Sequence, residues 1–197
     1  MSVLMLLRHG ETEWSAAGRH TGRTDVPLTA RGKEQAAALA PALIGRKIRA
    51  VFTSPAQRAR LTAELAGLAG AKQDPDLWEW DYGGYEGRTT RNIRMQRPGW
   101  YLWRDGVIPG GAAHPGETVE QVGARADAVL SRARPVLVEG DVVLVAHGHL
   151  LRVLTARWLG LEPAAGRLFR LDTGTYATLS TEHGEPVIVA WNVPAGR

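Results

Sequence analysis

Two histidines are placed where imidazole chemistry is most useful. The apolar run Val3-Leu4-Met5-Leu6-Leu7 leads through Arg8 into His9, and Val142-Val143-Leu144-Val145-Ala146 leads directly into His147. Glycine follows each of them, as Gly10 and Gly148, and lets the backbone turn sharply and approach a ligand closely. Near neutral pH an imidazole serves as nucleophile, base or acid. A lone histidine in such a place reads as no more than the cap of a strand, but a matched pair reads as a site. A third apolar run, Ile48 to Thr53, leads into Ser54-Pro55-Ala56-Gln57-Arg58. This puts Arg58 in the first turn of a helix, close to free backbone N–H groups and the positive helix end. Alone, Arg58 reads as a solvated surface residue. With Arg8 it supplies a pair of permanently charged guanidiniums, which fork onto phosphate oxygens.

These residues need a scaffold that brings strand ends together. The three apolar runs are short and lack alternation, so they read as strands buried on both faces. The stretch from Gly10 to Pro27 is long for a plain connection, and loops of that length are often functional. Thr29 caps a helix expected over Ala30 to Ile44, and Gly45 ends it. Ser54 as cap and Pro55 in the first turn begin a second helix, reaching about Ala69. Thr118 and Gln121 have the spacing of a capping box ahead of a long helix. A further helix is expected over Leu150 to Leu159, and the alternating stretches Thr175–Thr181 and Pro186–Val193 predict a hairpin around His183-Gly184-Glu185. Residues 71–117, which hold Trp78, Trp80, Trp100 and Trp103, are irregular and predict an excursion over one end of the sheet, with a helix near Thr90–Arg97. Strands alternating with helices predict a three-layer α/β/α sandwich with a mostly parallel sheet, formed by residues 1–197 as a single domain. In such sheets ligands sit beyond the carboxyl ends of the strands. His9 and His147 then face one crevice if their strands are parallel neighbours.

Composition narrows the ligand. The chain has 197 residues, 44% of them hydrophobic, enough for a full core without staples. It has no cysteine, which excludes disulfides, a thiol nucleophile and thiolate metal sites. No stretch approaches the roughly 18 uninterrupted apolar residues of a membrane helix. A soluble, cytoplasmic protein without a membrane partner is expected. The net charge of +4 and a pI of about 9.8 favour anionic ligands. The arginines are scattered, with no basic run of the kind that marks a nucleic-acid partner, so a small phosphorylated metabolite is the expected partner. A homodimer is compatible with the sequence without being read from it.

Five motifs in order carry a family resemblance. Leu7-Arg8-His9-Gly10-Glu11-Thr12-Glu13-Trp14 resembles the N-terminal signature of the histidine phosphatase superfamily, which includes phosphoglycerate mutases and many acid phosphatases. Thr21-Gly22-Arg23-Thr24-Asp25-Val26-Pro27-Leu28-Thr29 is similar to the loop that follows it, and Ser54 to Ala63 to the second arginine motif. Leu77-Trp78-Glu79 with Gly84-Tyr85-Glu86-Gly87 resembles the acidic motif, and Ala146-His147-Gly148-His149-Leu150-Leu151-Arg152 the second histidine motif. The resemblance covers Leu4 to about Trp158. Trp14-Ser15, the run Glu79 to Gly87, and Trp103-Arg104-Asp105-Gly106 look like a subgroup of sugar-phosphate and acid phosphatases that includes sedoheptulose-bisphosphatase-like enzymes.

The resemblance implies a phosphoglycerate mutase-like fold and a phosphoric monoester hydrolase that needs neither metal nor cofactor. By its register His9 is the nucleophile that becomes phosphohistidine. Arg8, Arg58 and His147 surround the transferring group, and Glu79 is the proton donor, with Asp81 and Glu86 as rival acids. Trp78 and Trp80 would desolvate Glu79. Ser15, Thr21, Gly22, Gly148 and His149 match positions near the substrate. Ser15 departs from the family, which often has Asn there, though a hydroxyl still donates. Trp100 and Trp103 either wall the pocket or pack the core. A metal site of His9, His147, His149 and Glu79 is the competing reading, disfavoured because the arginines repel a cation. Two further alternatives are a phosphoglycerate mutase and a non-catalytic phospho-ligand module. The short, aromatic middle segment favours a phosphatase over a mutase, and the intact motifs disfavour the module.

Overall fold

A computed structural model describes residues 2–195. Strand β1 (Leu4–Arg8) leads into a one-turn helix α1 (Glu13–Ala16) and then α2 (Ala30–Ala37). Strand β2 (Ile48–Thr53) and α3 (Gln57–Leu65) follow, with a short strand β3 (Lys72–Gln73). The irregular segment carries α4 (Thr90–Gln96) and α5 (Leu102–Asp105). The long α6 (Val119–Leu137), β4 (Asp141–Ala146) and α7 (Gly148–Trp158) come next, and the hairpin β5 (Thr175–Glu182) and β6 (Glu185–Pro194) closes the chain. The strands form one sheet in the order β3-β2-β4-β1-β5-β6. The first four are mutually parallel, and β5 and β6 are antiparallel to their neighbours.

The uniform apolarity of β1 and β4 follows from their position. Leu4, Leu6, Val142 and Leu144 point into the core formed with α6 and α7. Met5, Leu7, Val143 and Val145 point into the opposite core, with Ala59 and Ala63 of α3 and with Leu39. Both faces are covered, so neither alternation nor a polar side survives. No helix among the described residues is long and apolar enough to cross a membrane.

Several elements differ from expectation for identifiable reasons. The helix after Thr29 ends at Ala37 and gives way to a 3₁₀ turn over Ala40–Leu43, because Pro41 lacks an N–H and disfavours helical geometry in the residue before it. Helix α3 starts at Gln57 with Ala56 as N-cap and no side-chain cap, and it ends at Leu65, ahead of Gly67 at φ +80°. Ser54 turns its hydroxyl to His147 instead. Helix α7 begins at Gly148, with His147 as its N-cap, two residues before the expected start. The loop after β1 contains α1, and β3 was not expected. The capping box of Thr118 and Gln121 and the hairpin are found where the sequence puts them.

Gly10 and Gly32 bring the loop after β1 against α2. A Cβ at Gly32 would lie 2.0 Å from the Glu11 carbonyl oxygen, and one at Gly10 would lie 2.1 Å from the Gly32 carbonyl oxygen. Both obstacles are backbone, so relief requires the loop to move. Gly32→Ala is expected to lower unfolding free energy by about 1–3 kcal/mol, the cost of overpacking, measured by urea denaturation. An unchanged midpoint would show that the loop is free to shift.

Candidate active site

The pairing of β1 with β4 sets Arg8 opposite Ala146. The His9 amide continues the ladder, donating to the Ala146 carbonyl at 3.0 Å. His9 and His147 therefore emerge side by side, with ring centroids 5.1 Å apart. His9 Nδ1 lies 2.7 Å from the Gly10 carbonyl oxygen. A carbonyl only accepts, so Nδ1 carries the proton and Nε2 keeps its lone pair. Burial pushes the His9 pKa well below its usual 6.5, helped by the charges of Arg58 and Arg8.

A cavity of about 180 Å³ opens onto His9, lined also by Arg8, Ser15, Thr21, Glu79 and His149, with Gly18, Arg19, His20 and Tyr82 completing it. Arg8 passes beneath Gly148, where a Cβ would lie 3.0 Å from its Cζ. Its Nη1 donates to the Leu171 carbonyl, and its buried Nε has no partner. A larger recess of about 480 Å³ lies beyond Trp80 and Trp103, between α5 and the start of α6, but has no histidine in its wall. The chemistry belongs to the smaller cavity.

Glu79 sits at the start of α7. Its carboxylate accepts from the amides of His149 (3.0 Å), Leu150 (2.8 Å) and Trp80 (3.0 Å). The first two are free N–H groups of a helix N-terminus, and they form a seat that orients the carboxyl group. The early start of α7 creates that seat. Arg125 of α6 fixes the backbone behind it, donating to the carbonyls of Asp76 (2.7 Å) and Trp78 (2.9 Å) and to both oxygens of Glu117 at 2.8 Å. The flanking indoles are engaged elsewhere. Trp78 lies parallel to His147 at 6.4 Å, while Trp80 donates to the Glu117 carbonyl and packs on Trp103. The two rival acids do not line the cavity. Asp81 accepts from the Gly83 amide, and Glu86 from the amides of Gly22 and Thr24.

Arg58, His147, Gly22 and Gly148 stand one layer behind the cavity wall rather than on it. Arg58 is fully buried and donates to the carbonyls of Thr24 and Gly22, both at 2.9 Å, and through Nε to His147 Nδ1 at 3.3 Å. Because a guanidinium only donates, His147 Nδ1 is unprotonated, and its Nε2–H points to Ser54 Oγ at 2.7 Å. Burial and Arg58 hold the His147 pKa well below 6.5 as well. Ser15 lines the cavity, but its hydroxyl proton is committed to the Thr12 carbonyl at 3.0 Å within a capping box, instead of being free for a phosphate oxygen. The Thr21 hydroxyl donates to the Arg19 carbonyl at 3.2 Å. Trp100 and Trp103 are core residues, 2% and 8% exposed. They back the rings of His20 and His149, with centroids 5.6 and 5.4 Å away. His20 and Tyr82 are cavity residues that sequence reasoning passed over. The only signals were the length of the Gly10–Pro27 loop and the position of Tyr82 inside the acidic motif. Among the described residues no group of three or more His, Cys, Asp or Glu is arranged to hold a metal ion.

A neutral imidazole, a guanidinium and a carboxylate share one small cavity at the carboxyl ends of parallel strands, an arrangement suited to phosphoryl transfer. The sequence profile described as histidine phosphatase superfamily (branch 1) matches residues 4–194, and the chain belongs to that family. It is 43% identical over 184 residues to an acid phosphatase of Mycobacterium tuberculosis, covering 92% of this chain and 87% of that one. It is 36% identical to the sedoheptulose 1,7-bisphosphatase of Saccharomyces cerevisiae, covering 80% of this chain and 67% of that one. The solved structure of an open reading frame product from M. tuberculosis superposes with a TM-score of 0.91 at 38% identity, covering 98% of both chains.

Four histidines of the site are held neutral. Burial lowers His9, His147 and His149 well below 6.5 and His20 to about 4. The unfolded chain takes up these protons near pH 6.5 and the folded chain does not. Stability is therefore complete above pH 6.5 and falls as the pH drops below it, by about 1.4 kcal/mol per pH unit for each histidine that stays neutral. Denaturant titrations at pH 7, 6 and 5 should show this loss, and His20→Asn should reduce the slope. The opposite sign would place charged imidazoles in the folded protein.

Proposed function

We infer that the protein hydrolyses monoesters of small phosphorylated metabolites through a phosphohistidine at His9. The observation that carries this reading is the fixed tautomer of His9. Its Nδ1–H is held by Gly10, and an unprotonated Nε2 shares a cavity with Arg8 and Glu79. In the first step Nε2 attacks phosphorus, the bond to the alcohol oxygen breaks, and Glu79 protonates the departing oxygen. In the second step Glu79 takes a proton from water, whose oxygen attacks phosphohistidine. Inorganic phosphate leaves, His9 is restored and Glu79 is again protonated.

Arg8 lines the cavity beside His9 and presents its fixed positive charge to the transferring oxygens. Arg58 and His147 act from behind. Arg58 adds positive field and holds the loop carbonyls of Gly22 and Thr24, and His147 packs the nucleophile's ring in place. The cavity accommodates a phosphate and a short piece of its alcohol, which supports a small ester. The aromatic segment 71–117 supports hydrolysis over mutase transfer. A phosphorylated metabolite as substrate supports a cytoplasmic location for the reaction.

Rapid quench with 4-nitrophenyl phosphate should trap an acid-labile, base-stable phosphoenzyme that His9→Ala abolishes. A normal burst in that variant would overturn the reading. Glu79→Gln should cut kcat/KM for an alkyl phosphate, which reports the first step alone, by about 10²–10⁴-fold. It should affect 4-nitrophenyl phosphate far less, because nitrophenolate leaves without a proton. Equal losses on both esters would remove Glu79 from the acid role.

A further inference from the structure

One wall of the cavity has no part in phosphoryl transfer. It consists of the rings of His20, Tyr82 and His149. His20 leans on Tyr82 with centroids 4.8 Å apart, and Tyr82 meets His149 edge-on at 5.8 Å, its hydroxyl 2.6 Å from His149 Nδ1. The wall adjoins the proton donor directly, since the His149 amide is one of the groups bound to Glu79. It is therefore on the side from which the alcohol departs. It is also braced, with Trp100 behind His20 and Trp80 and Trp103 behind His149.

Each ring retains a polar function that the protein does not use. His149 Nε2 makes no hydrogen bond within the protein and is not fully buried. The same holds for His20 Nδ1, while His20 Nε2 is 3.5 Å from the Thr90 hydroxyl. Tyr82 oxygen makes one bond and has capacity for another. All three groups are uncharged. Burial keeps both imidazoles neutral and pushes the Tyr82 phenol well above 10. Neutral groups able to donate and accept match a hydroxyl. A carboxylate here would meet Glu79, while Arg152, whose charge reaches His149, is drawn over Trp103 and onto the carbonyls of Gly166 and Arg167. Arg8 is held at the phosphate end, and Arg19 stands exposed at the rim.

We propose that His20, Tyr82 and His149 form a leaving-group subsite that selects phosphate esters of polyols, by bonding the hydroxyls on the carbons next to the ester oxygen. The inference rests on the phosphatase reading above and goes further by assigning specificity to residues outside the chemical step. A site built to bond a hydroxyl discriminates against an analogue lacking it, because its own polar groups are then left unpaired.

The test compares kcat/KM for glycerol 1-phosphate, 1-propyl phosphate and 3-phosphoglycerate, with 4-nitrophenyl phosphate as the measure of phosphatase activity itself. The wild-type protein should favour glycerol 1-phosphate over 1-propyl phosphate by about tenfold or more. Tyr82→Phe and His20→Phe, which keep a ring in place, should each lower that ratio by about tenfold, mostly through KM. A wild-type ratio near one, a ratio unmoved in both variants, or a preference for 3-phosphoglycerate would overturn the subsite while 4-nitrophenyl phosphate is still hydrolysed. Absence of hydrolysis of every ester, 4-nitrophenyl phosphate included, would overturn the phosphatase reading and the subsite with it.

Discussion

The parallel pairing of β1 with β4 is the constraint from which the site is built. Residues of the two strands sit at matched heights, and their alternate side chains enter two different cores. A slip of one residue would exchange the faces of a whole strand. It would also separate the two histidines, which meet only because Arg8 and Ala146 are partners in the ladder. The cores therefore fix the register, and the register fixes the distance between the His9 and His147 rings. Gly10 and Gly148 follow because the backbone must turn immediately past the sheet, against α2 on one side and over the Arg8 guanidinium on the other.

The electrostatics follow from the same closeness. Imidazoles buried beside guanidiniums cannot easily take a proton, because desolvation and like charge act in the same direction. His9 thus keeps a neutral imidazole in surroundings positive enough to attract an anion. A site that relied on protonated histidines to bind the anion would lose its nucleophile by the same ionisation. Here the charge resides on arginines, which cannot lose it, and the histidines are left to act as neutral groups.

Strands β1 and β4 were legible in the sequence because burial on both faces leaves a uniform apolar run. Strand β2 spans Ile48 to Thr53 as expected but is not buried on both faces: Arg49 is exposed and only Thr53 is fully buried, because β2 lies nearer the sheet edge, beside the two-residue β3. The Thr118–Gln121 box is purely local chemistry. The start of α7 was less legible. His147 caps the helix through its backbone alone, without the side-chain bond that a serine or aspartate would have made recognisable. Family register brought Glu79 to attention, but the reason for its placement is tertiary: amides distant in sequence receive its carboxylate. The positions of Arg58 and His147 behind the wall, and of His20 and Tyr82 on it, depend on ring and loop packing between segments with no common periodicity.

Glu79 lies on a segment without helix or strand, so no ladder of hydrogen bonds fixes its height against His9. Two charged contacts take the place of one. From in front, the amides of α7 receive the carboxylate. From behind, Arg125 holds the carbonyls of Asp76 and Trp78 and is itself oriented by both oxygens of Glu117. The Glu117 backbone carbonyl also accepts the Trp80 indole N–H, and its carboxylate the Asp81 amide at 2.9 Å. Glu117 therefore ties the segment on both sides of Glu79 to the start of α6. Helix α6 packs on α7, which carries the amides. Glu79 and its anchors thus form a closed circuit through two helices, and this circuit lets an irregular, aromatic stretch position a carboxyl group as firmly as a strand end positions His9.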